Sequence, residues 1–213
     1  MEILTSIWNG ILETSLTEWI AVISGIIYVL LAGKKHIACW FFAMVSTSIY
    51  IYLCFSNQLF VESGLQVFYL IMAIYGWVKW NQDQSEALPI RRWKWSFHVI
   101  NILISTAVTL LLGYLMGEFT SQQSPYLDAF TTVFSLAATF MVTQRVLENW
   151  LYWIVIDIAL GVLYASRELY LTGVQYIVFA IIAVFAFYSW RKYYSVQRSQ
   201  RRTTHPEILD NEI

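Results

Sequence analysis

Seven apolar stretches separated by short polar breaks run along most of the chain, at roughly 17–33, 37–55, 60–79, 96–117, 127–144, 149–166 and 170–190. Each approaches the about 20 mostly apolar residues that a helix needs to cross a ~30 Å hydrocarbon core. Several carry no 3.6-residue alternation of apolar and polar positions, as expected of helices surrounded by lipid and other helices rather than by water. Their continuity excludes a membrane β-barrel, whose strands alternate over about ten residues. The pattern predicts an all-α integral membrane protein with seven transmembrane helices.

The polar breaks complete the predicted organisation. Residues 1–16 place Ile3, Leu4, Ile7, Trp8, Ile11 and Leu12 at helical spacing, which suits a helix lying in the outer interface. This start is acidic and lacks a basic n-region, so the first apolar segment is expected to be retained rather than cleaved. Residues 17–80 then form a first three-helix unit and 81–126 a cytosolic loop plus a linker helix. Residues 127–193 form a second three-helix unit, and 194–213 a disordered cytosolic tail.

Composition removes the soluble alternatives. Of 213 residues 58% are hydrophobic and 17% aromatic, while only 13% are charged, against about a quarter in soluble domains. A net charge of −1 gives no sign of nucleic-acid binding. Cys39 and Cys54 cannot pair, because fifteen helical residues span about 22 Å, against ~4.4–6.8 Å between bridged Cα atoms. The basic residues are sorted by position. Lys34 and Lys35, then Lys79, Arg91, Arg92 and Lys94, then Arg145, then Arg191, Lys192, Arg198, Arg201 and Arg202 fall on one side of a seven-crossing topology. Of the 13 basic residues only Arg167 lies opposite. The positive-inside rule then puts the N-terminus outside and the C-terminus in the cytosol. Trp80, Trp93, Trp95 and Trp190 are expected as belt residues at the cytosolic headgroups.

A weak internal repeat is visible. At an offset of 113, Tyr75, Trp77 and Lys79 coincide with Tyr188, Trp190 and Lys192, and Trp40 with Trp153. Gly64-Leu65-Gln66 and Gly173-Val174-Gln175 instead require 109, hence a small insertion. Segments 1–3 and 5–7 would then run in the same direction, a parallel repeat about an axis along the membrane normal.

Among the intramembrane polar residues Asp157 is the most informative. It lies about 12 Å deep at ~1.5 Å per residue, where a charge costs at least ~2.5–3.5 kcal/mol. A carboxyl bonded to nearby hydroxyls, or simply protonated, is the structural reading; a site for a cation is the functional one. Trp150, Trp153, Asp157 and Tyr164 share one broad face, with Asn149 one turn before Trp153. Aromatic walls beside one carboxylate suit a flat cation, although Trp150 also fits a belt position. Thr131, Ser135, Thr139 and Thr143 form an i, i+4 stripe that lines a polar path or packs helices. Gln66, Tyr69, Tyr50 and Gln175 are further candidate walls.

Other machinery is missing from the sequence. No G-x-x-x-x-G-K-[ST] loop is present, and Lys192 lies at the cytosolic end of the last segment, unsuited to a retinal linkage. His36, His98 and His205 form no metal constellation, and no hydrolase motif appears. Neither cofactor nor metal is expected, and no enzymatic activity.

The stretch from Val146 to Asp157, reading V-L-E-N-W-L-Y-W-I-V-I-D, followed by E-L-Y-L-T from Glu168, resembles the PnuC family of vitamin transporters, whose hallmark is E-N-W-x-x-W on the sixth core helix. Gly64 to Tyr69 (G-L-Q-V-F-Y) and Ile74 to Trp80 (I-Y-G-W-V-K-W) extend the resemblance, which spans roughly residues 17–193; Gln144-Arg145 partly replaces the family's basic residues before E-N-W. The resemblance implies a 3+1+3 helix bundle related to the SWEET sugar transporters, with substrate between the halves. It also implies facilitated uptake by alternating access without ATP hydrolysis, made irreversible by a cytosolic kinase. Asn149, Trp150 and Trp153, with Gln66, would bind the substrate. Asp157, Tyr69 and Thr139 join them from the residue reading. Expected partners are thus a small-molecule vitamin, the bilayer of a bacterial inner membrane and that kinase; the family also suggests a homotrimer. Nicotinamide riboside is the first candidate substrate. Thiamine is close behind, because the stretch Glu86-Ala87-Leu88-Pro89 and the short link between segments four and five resemble the thiamine-transporting PnuT branch. Riboflavin and deoxynucleosides follow. A seven-helix receptor or sensor is the competing class, and a membrane enzyme a third.

Overall fold

Each apolar stretch is a helix. The computed structural model describes residues 5, 7–8, 11–12, 14–58, 60–82, 89–120 and 123–204. Its long helices are α1 (Leu16–Gly33), α2 (Cys39–Ser56), α3 (Phe60–Gln82), α4 (Trp95–Phe119), α5 (Pro125–Thr143), α6 (Asn149–Ser166) and α7 (Tyr170–Thr204). Six are long and apolar enough to cross a membrane; α3, with Glu62, Gln66 and Lys79, is not among them. Most of the expected interfacial segment 1–16, the loop centre 83–88 and residues 205–213 lie outside the described residues. The expectation of a disordered tail from residue 194 is corrected, since α7 stays helical to Thr204. No glycine or proline interrupts it between Gly173 and Pro206, and Tyr193 and Gln197 find partners: the Lys35 ammonium sits 3.8 Å from the Tyr193 ring centroid, and Gln197 clasps Ile90 through both backbone groups.

The helix ends show how tightly the chain reverses. The Ser15 hydroxyl caps α1 by accepting from the Glu18 amide at 3.2 Å, and Pro125 opens α5, where its missing N–H costs nothing. Four reversals use a left-handed residue that is not glycine: Lys35, Gln58, Arg145 and Glu168, with φ of 58°, 61°, 58° and 62°. After α1 the His36 amide donates to Leu31 O and that of Lys35 to Ala32 O, both at 2.9 Å. The Val146–Met141 and Arg145–Val142 pair repeats this after α5, and the Leu169–Tyr164 and Glu168–Ala165 pair after α6. These are Schellman closures, in which glycine is usual because other residues lose roughly 1–2 kcal/mol in the left-handed region.

Lys35 and Arg145 lie 110 residues apart, as do Gln58 and Glu168. Helices α2 and α6 are both 18 residues long and start at 39 and 149, and α3 and α7 start at 60 and 170. The repeat therefore runs at 110 without insertion, which corrects the offsets of 113 and 109. Trp40 matches Trp150, and Trp80 matches Trp190. Trp77 and Trp80, like Trp150 and Trp153, are one helical turn apart, so a match on tryptophans alone slips by a turn.

In the packing, α2 contacts α1 and α3, and α6 contacts α5 and α7. Two seams join the groups, α1 against α7 and α3 against α5, while α4 leans mainly on α5 and reaches α6 through the 3.2 Å contact of His98 with Tyr152. Exchanging α1 with α5 and α3 with α7 turns one seam into the other. Burial is the reverse of a soluble bundle. Ile100, Leu103, Ile104, Leu110 and Leu111 of α4 are exposed, whereas Ser24, Ser46, Ser105, Thr131, Ser135 and Thr139 are buried. Small and hydroxylated residues let helix backbones approach, and several bond to main-chain carbonyls: Thr139 donates to Ser135 O at 2.7 Å and Ser46 to Ala21 O at 2.9 Å. At the α6–α7 crossing a Cβ on Gly173 would meet Gly161 O at 3.2 Å and Ala165 N at 3.5 Å. Backbone atoms cannot rotate aside, so Gly173→Val is expected to destabilise the bundle by about 1–3 kcal/mol, read as a lowered unfolding temperature in detergent.

Four tryptophans fill the basic end of the core. Trp40 meets Trp80 edge-on at 5.2 Å and 86°, and Trp150 meets Trp190 edge-on at 5.4 Å and 88°; Trp80 and Trp190 join the pairs at 6.3 Å. This corrects the belt assignment of Trp80 and Trp190, which are both 0% exposed. Their indole N–H groups find carbonyls inside the protein, Trp80 at Thr143 O (3.2 Å) and Trp190 at Ala32 O (3.0 Å). Trp95, 78% exposed, is free to serve a belt.

Candidate functional site

Three helices present the same i, i+3, i+7 stripe to one shared space. On α6 it is Trp150, Trp153 and Asp157, on α7 Tyr176, Phe179 and Ala183, and on α1 Gly25, Tyr28 and Ala32 with Val29 beside them. Val142 of α5 completes a cavity of about 170 Å³. Positions so spaced share one helical face, so each stripe follows directly from local sequence once its helix forms. Among the described residues no Lys, Arg or His lines the cavity, and Asp157 is the one acid.

Asp157 is only 4% exposed. Among the described residues no hydrogen bond or ion pair reaches its carboxyl, and Tyr28 and Tyr176 share the wall with it. The remaining wall is aromatic and aliphatic. Such a space attracts a flat organic cation, since ring faces carry negative quadrupole and the carboxylate supplies a full counter-charge. It repels an anion, because nothing on the wall offsets a second negative charge.

Trp150, Trp153 and Asp157 are thus brought together as their spacing predicts. The other candidates sit elsewhere. Asn149 is fully buried at the start of α6, donating to Val146 O at 2.6 Å while its Oδ1 finds no protein partner. Trp150 Nε1, one residue on, is likewise buried without a partner. Two such orphaned atoms cost roughly 1–3 kcal/mol each, and of the two residues Trp150 lines the cavity. Gln66 and Tyr69 of α3 are half-buried and are not on the wall. Tyr69 reaches Ser135 on α5 across the second seam. Thr139 is turned back onto its own helix, and so are Thr131, Ser135 and Thr143. Tyr164 stacks on Tyr176 at 5.3 Å and 11°, backing the cavity wall from behind. The sequence reading missed the α1 contribution altogether, together with Tyr176, Phe179 and Ala183. The signal was present as an i, i+3, i+7 stripe on each helix, but in an apolar helix any such stripe is matched by several others.

The two ends of the bundle differ in charge chemistry. At one end the segment before α4 pairs with the α5–α6 turn, Arg91 N donating to Arg145 O and Leu147 N to Arg91 O, both at 2.9 Å. Arg92 Nε lies 2.6 Å from Glu148 Oε1, and this carboxylate raises the Arg92 guanidinium above its ordinary pKa. In the α1–α2 turn, burial and then the neighbouring Arg145 hold the Lys35 ammonium below the usual lysine range. At the opposite end Arg167 pairs with Asp128 at 2.5 Å. Since Glu148 immediately precedes α6, the Arg92 contact fixes the end of the helix that carries Trp150, Trp153 and Asp157.

Comparison with known proteins decides the family. The model of the nicotinamide mononucleotide transporter family matches residues 15–192. The chain belongs to this family. Among its relatives, the nicotinamide riboside transporter PnuC of Escherichia coli K12 is 26% identical over 199 residues, covering 81% of this chain and 83% of that protein. PnuC of Neisseria mucosa is 25% identical, covering 81% and 71%. The riboflavin/roseoflavin transporter RibM of Streptomyces davaonensis is 20% identical, covering 82% and 84%. The solved structure of a vitamin B3 transporter PnuC superposes with a TM-score of 0.69 at 21% identity, covering 91% of this chain and 90% of that one, and so shares the fold. Family membership and the apolar helices together make this a multi-pass membrane protein.

Proposed function

We propose that the protein carries nicotinamide riboside across a bacterial inner membrane by facilitated, alternating-access transport. The observation that carries this reading is one buried carboxylate, Asp157, facing an aromatic cavity with no basic residue on its wall. A pyridinium cation satisfies both features: its ring lies against Trp153 and Trp150, and its charge is compensated by Asp157. The names of the PnuC relatives support the same substrate.

The architecture fits that role. Seven crossings in a 3+1+3 parallel repeat, with α4 as the odd helix, account for the 110-residue recurrence and for two seams that exchange under the repeat. The turns and segments richest in Lys and Arg gather at one end, which the positive-inside rule assigns to the cytosol, leaving the N-terminus outside. Rocking of the halves about the central cavity would expose it to one side at a time. The protein then acts as a carrier rather than an enzyme, and a cytosolic kinase phosphorylating the product would keep it from returning.

A second substrate, thiamine, is favoured by the small number of polar atoms that the cavity offers to ribose hydroxyls. The test is a calorimetric titration of the purified protein in detergent with nicotinamide riboside, thiamine and nicotinamide mononucleotide in parallel. Nicotinamide riboside is expected to bind tightly, and the mononucleotide at least about tenfold more weakly, because no described cation on the wall offsets its phosphate. Equal affinity for the mononucleotide overturns the site, and binding of thiamine alone reassigns the substrate. Saturable binding without uptake into vesicles points instead to a receptor.

A further inference from the structure

The indole contacts that cross the two seams at the basic end follow the internal repeat to within one residue at the acceptor. Trp80 is the last bulky residue of α3 and donates its indole N–H over the α3–α5 seam to Thr143 O, the final carbonyl of α5. Trp190, its counterpart 110 residues later, donates over the α1–α7 seam to Ala32 O, one residue before the end of α1. The Ser189 hydroxyl adds a 3.1 Å bond to Gly33 O at that seam. The edge-on pairs Trp40–Trp80 and Trp150–Trp190 match each other closely, as a two-fold related set should. Beyond them lies the cavity, reached through Trp150 on one side and through Tyr28, 5.9 Å from Trp40, on the other.

We propose that Trp80 and Trp190 are a two-fold latch that holds the cavity shut toward the basic, cytosolic end, each indole N–H bolting one seam. The four indoles plug the path, and the two hydrogen bonds tie each half to the final turn of the other. Opening on this side requires both bonds to break together, because the halves can separate only if both seams give way. No substrate contact is involved, so the latch sets the balance between closed and open states rather than the fit of the ligand. The proposal takes its meaning from the alternating-access reading, but its test needs no substrate.

The test replaces Cys39 by Ala and Cys54 by Ser, places a reporter at Ala183→Cys on the cavity wall, and measures its labelling by a membrane-impermeant maleimide. Right-side-out and inverted vesicles separate the two approaches. Trp80→Phe and Trp190→Phe keep an aromatic ring and remove the donor. A net hydrogen bond shifts an equilibrium by about fivefold, so each single variant is expected to speed labelling from the cytosolic side about fivefold and the double variant about twenty-five-fold. Labelling from the opposite side should not rise.

Gly33→Ala attacks the same seam without touching an indole. Its Cβ would stand 2.9 Å from Ala186 Cβ, so the helices must part; it too should speed cytosolic labelling. Unchanged labelling in the double variant, or in Gly33→Ala should the tryptophan variants fail to fold, overturns the latch, and so does acceleration only from the outside. If labelling responds as expected while no substrate flux is found, the latch stands and the transport reading fails. Normal flux with unresponsive labelling overturns the latch and leaves the transport reading standing.

Discussion

Asp157→Asn should weaken binding of a cationic ligand by roughly thirtyfold or more. Removing one partner of a buried charge pair costs about 2–5 kcal/mol, and each 1.4 kcal/mol is tenfold in Kd. The magnitude rests on the setting. Asp157 is buried, no Lys or Arg lines the cavity, and no described side chain bonds to its carboxyl. The counter-charge for a bound cation therefore comes from this residue alone. Asparagine keeps the shape and hydrogen-bonding capacity while removing the charge, so the loss measures charge compensation rather than packing. Calorimetry with nicotinamide riboside and with a neutral analogue such as nicotinamide makes the comparison. A large loss for the cation with little change for the neutral ring is expected, and parallel losses for both would show that the carboxyl serves the structure instead.

How much of this was legible in the sequence depends on what kind of force specifies each part. The helices were, because apolar runs of membrane length leave backbone groups no partner except their own helix. The predicted stretch 149–166 coincides with α6, and 60–79 falls short of α3 by one turn. The end of α7 was misjudged, since a polar sequence looks unstructured until its partners, Lys35 and the backbone of Ile90, are known. The repeat was visible in the wrong register. Tryptophans at i and i+3 make neighbouring turns look alike, and the left-handed residues at 35, 58, 145 and 168 together with the helix starts fix the offset.

Within the site, Asp157 and its aromatic companions could be read because an acid deep in a membrane helix is costly enough to demand a reason. The α1 wall could not. Gly25, Tyr28 and Ala32 become a wall only through the pairing of α1 with α7, which is a long-range fact that no local pattern encodes. Trp80 and Trp190 show the same limit from the other direction. An indole near a helix end suits the headgroup boundary equally well, and the choice was made by the carbonyls of Thr143 and Ala32.

Trp153→Ala should lower affinity by about 3 kcal/mol, on the order of a hundredfold in Kd. Stacking of a heteroaromatic base on an aromatic side chain is worth about 1–3 kcal/mol by alanine substitution, and a desolvated cation–π contact adds up to about 2. Trp153 lies one turn above Trp150 and one turn below Asp157 on the same face of α6. Its ring therefore flanks the place where a cation meets the carboxylate, whereas Trp150 is anchored edge-on against Trp190 and forms the floor. Trp77 supplies the control. It packs against the same aromatic core from α3 but does not line the cavity. Trp77→Ala should accordingly lower stability by about 1–3 kcal/mol, less than emptying a fully buried aromatic site because Trp77 is half-buried, and leave affinity near the parent value in protein that remains folded. Titrations on both variants, each paired with a thermal melt, separate the roles: loss of affinity with a near-parent melt marks Trp153 as a wall of the site, and loss of both in equal measure would reduce it to another packing tryptophan.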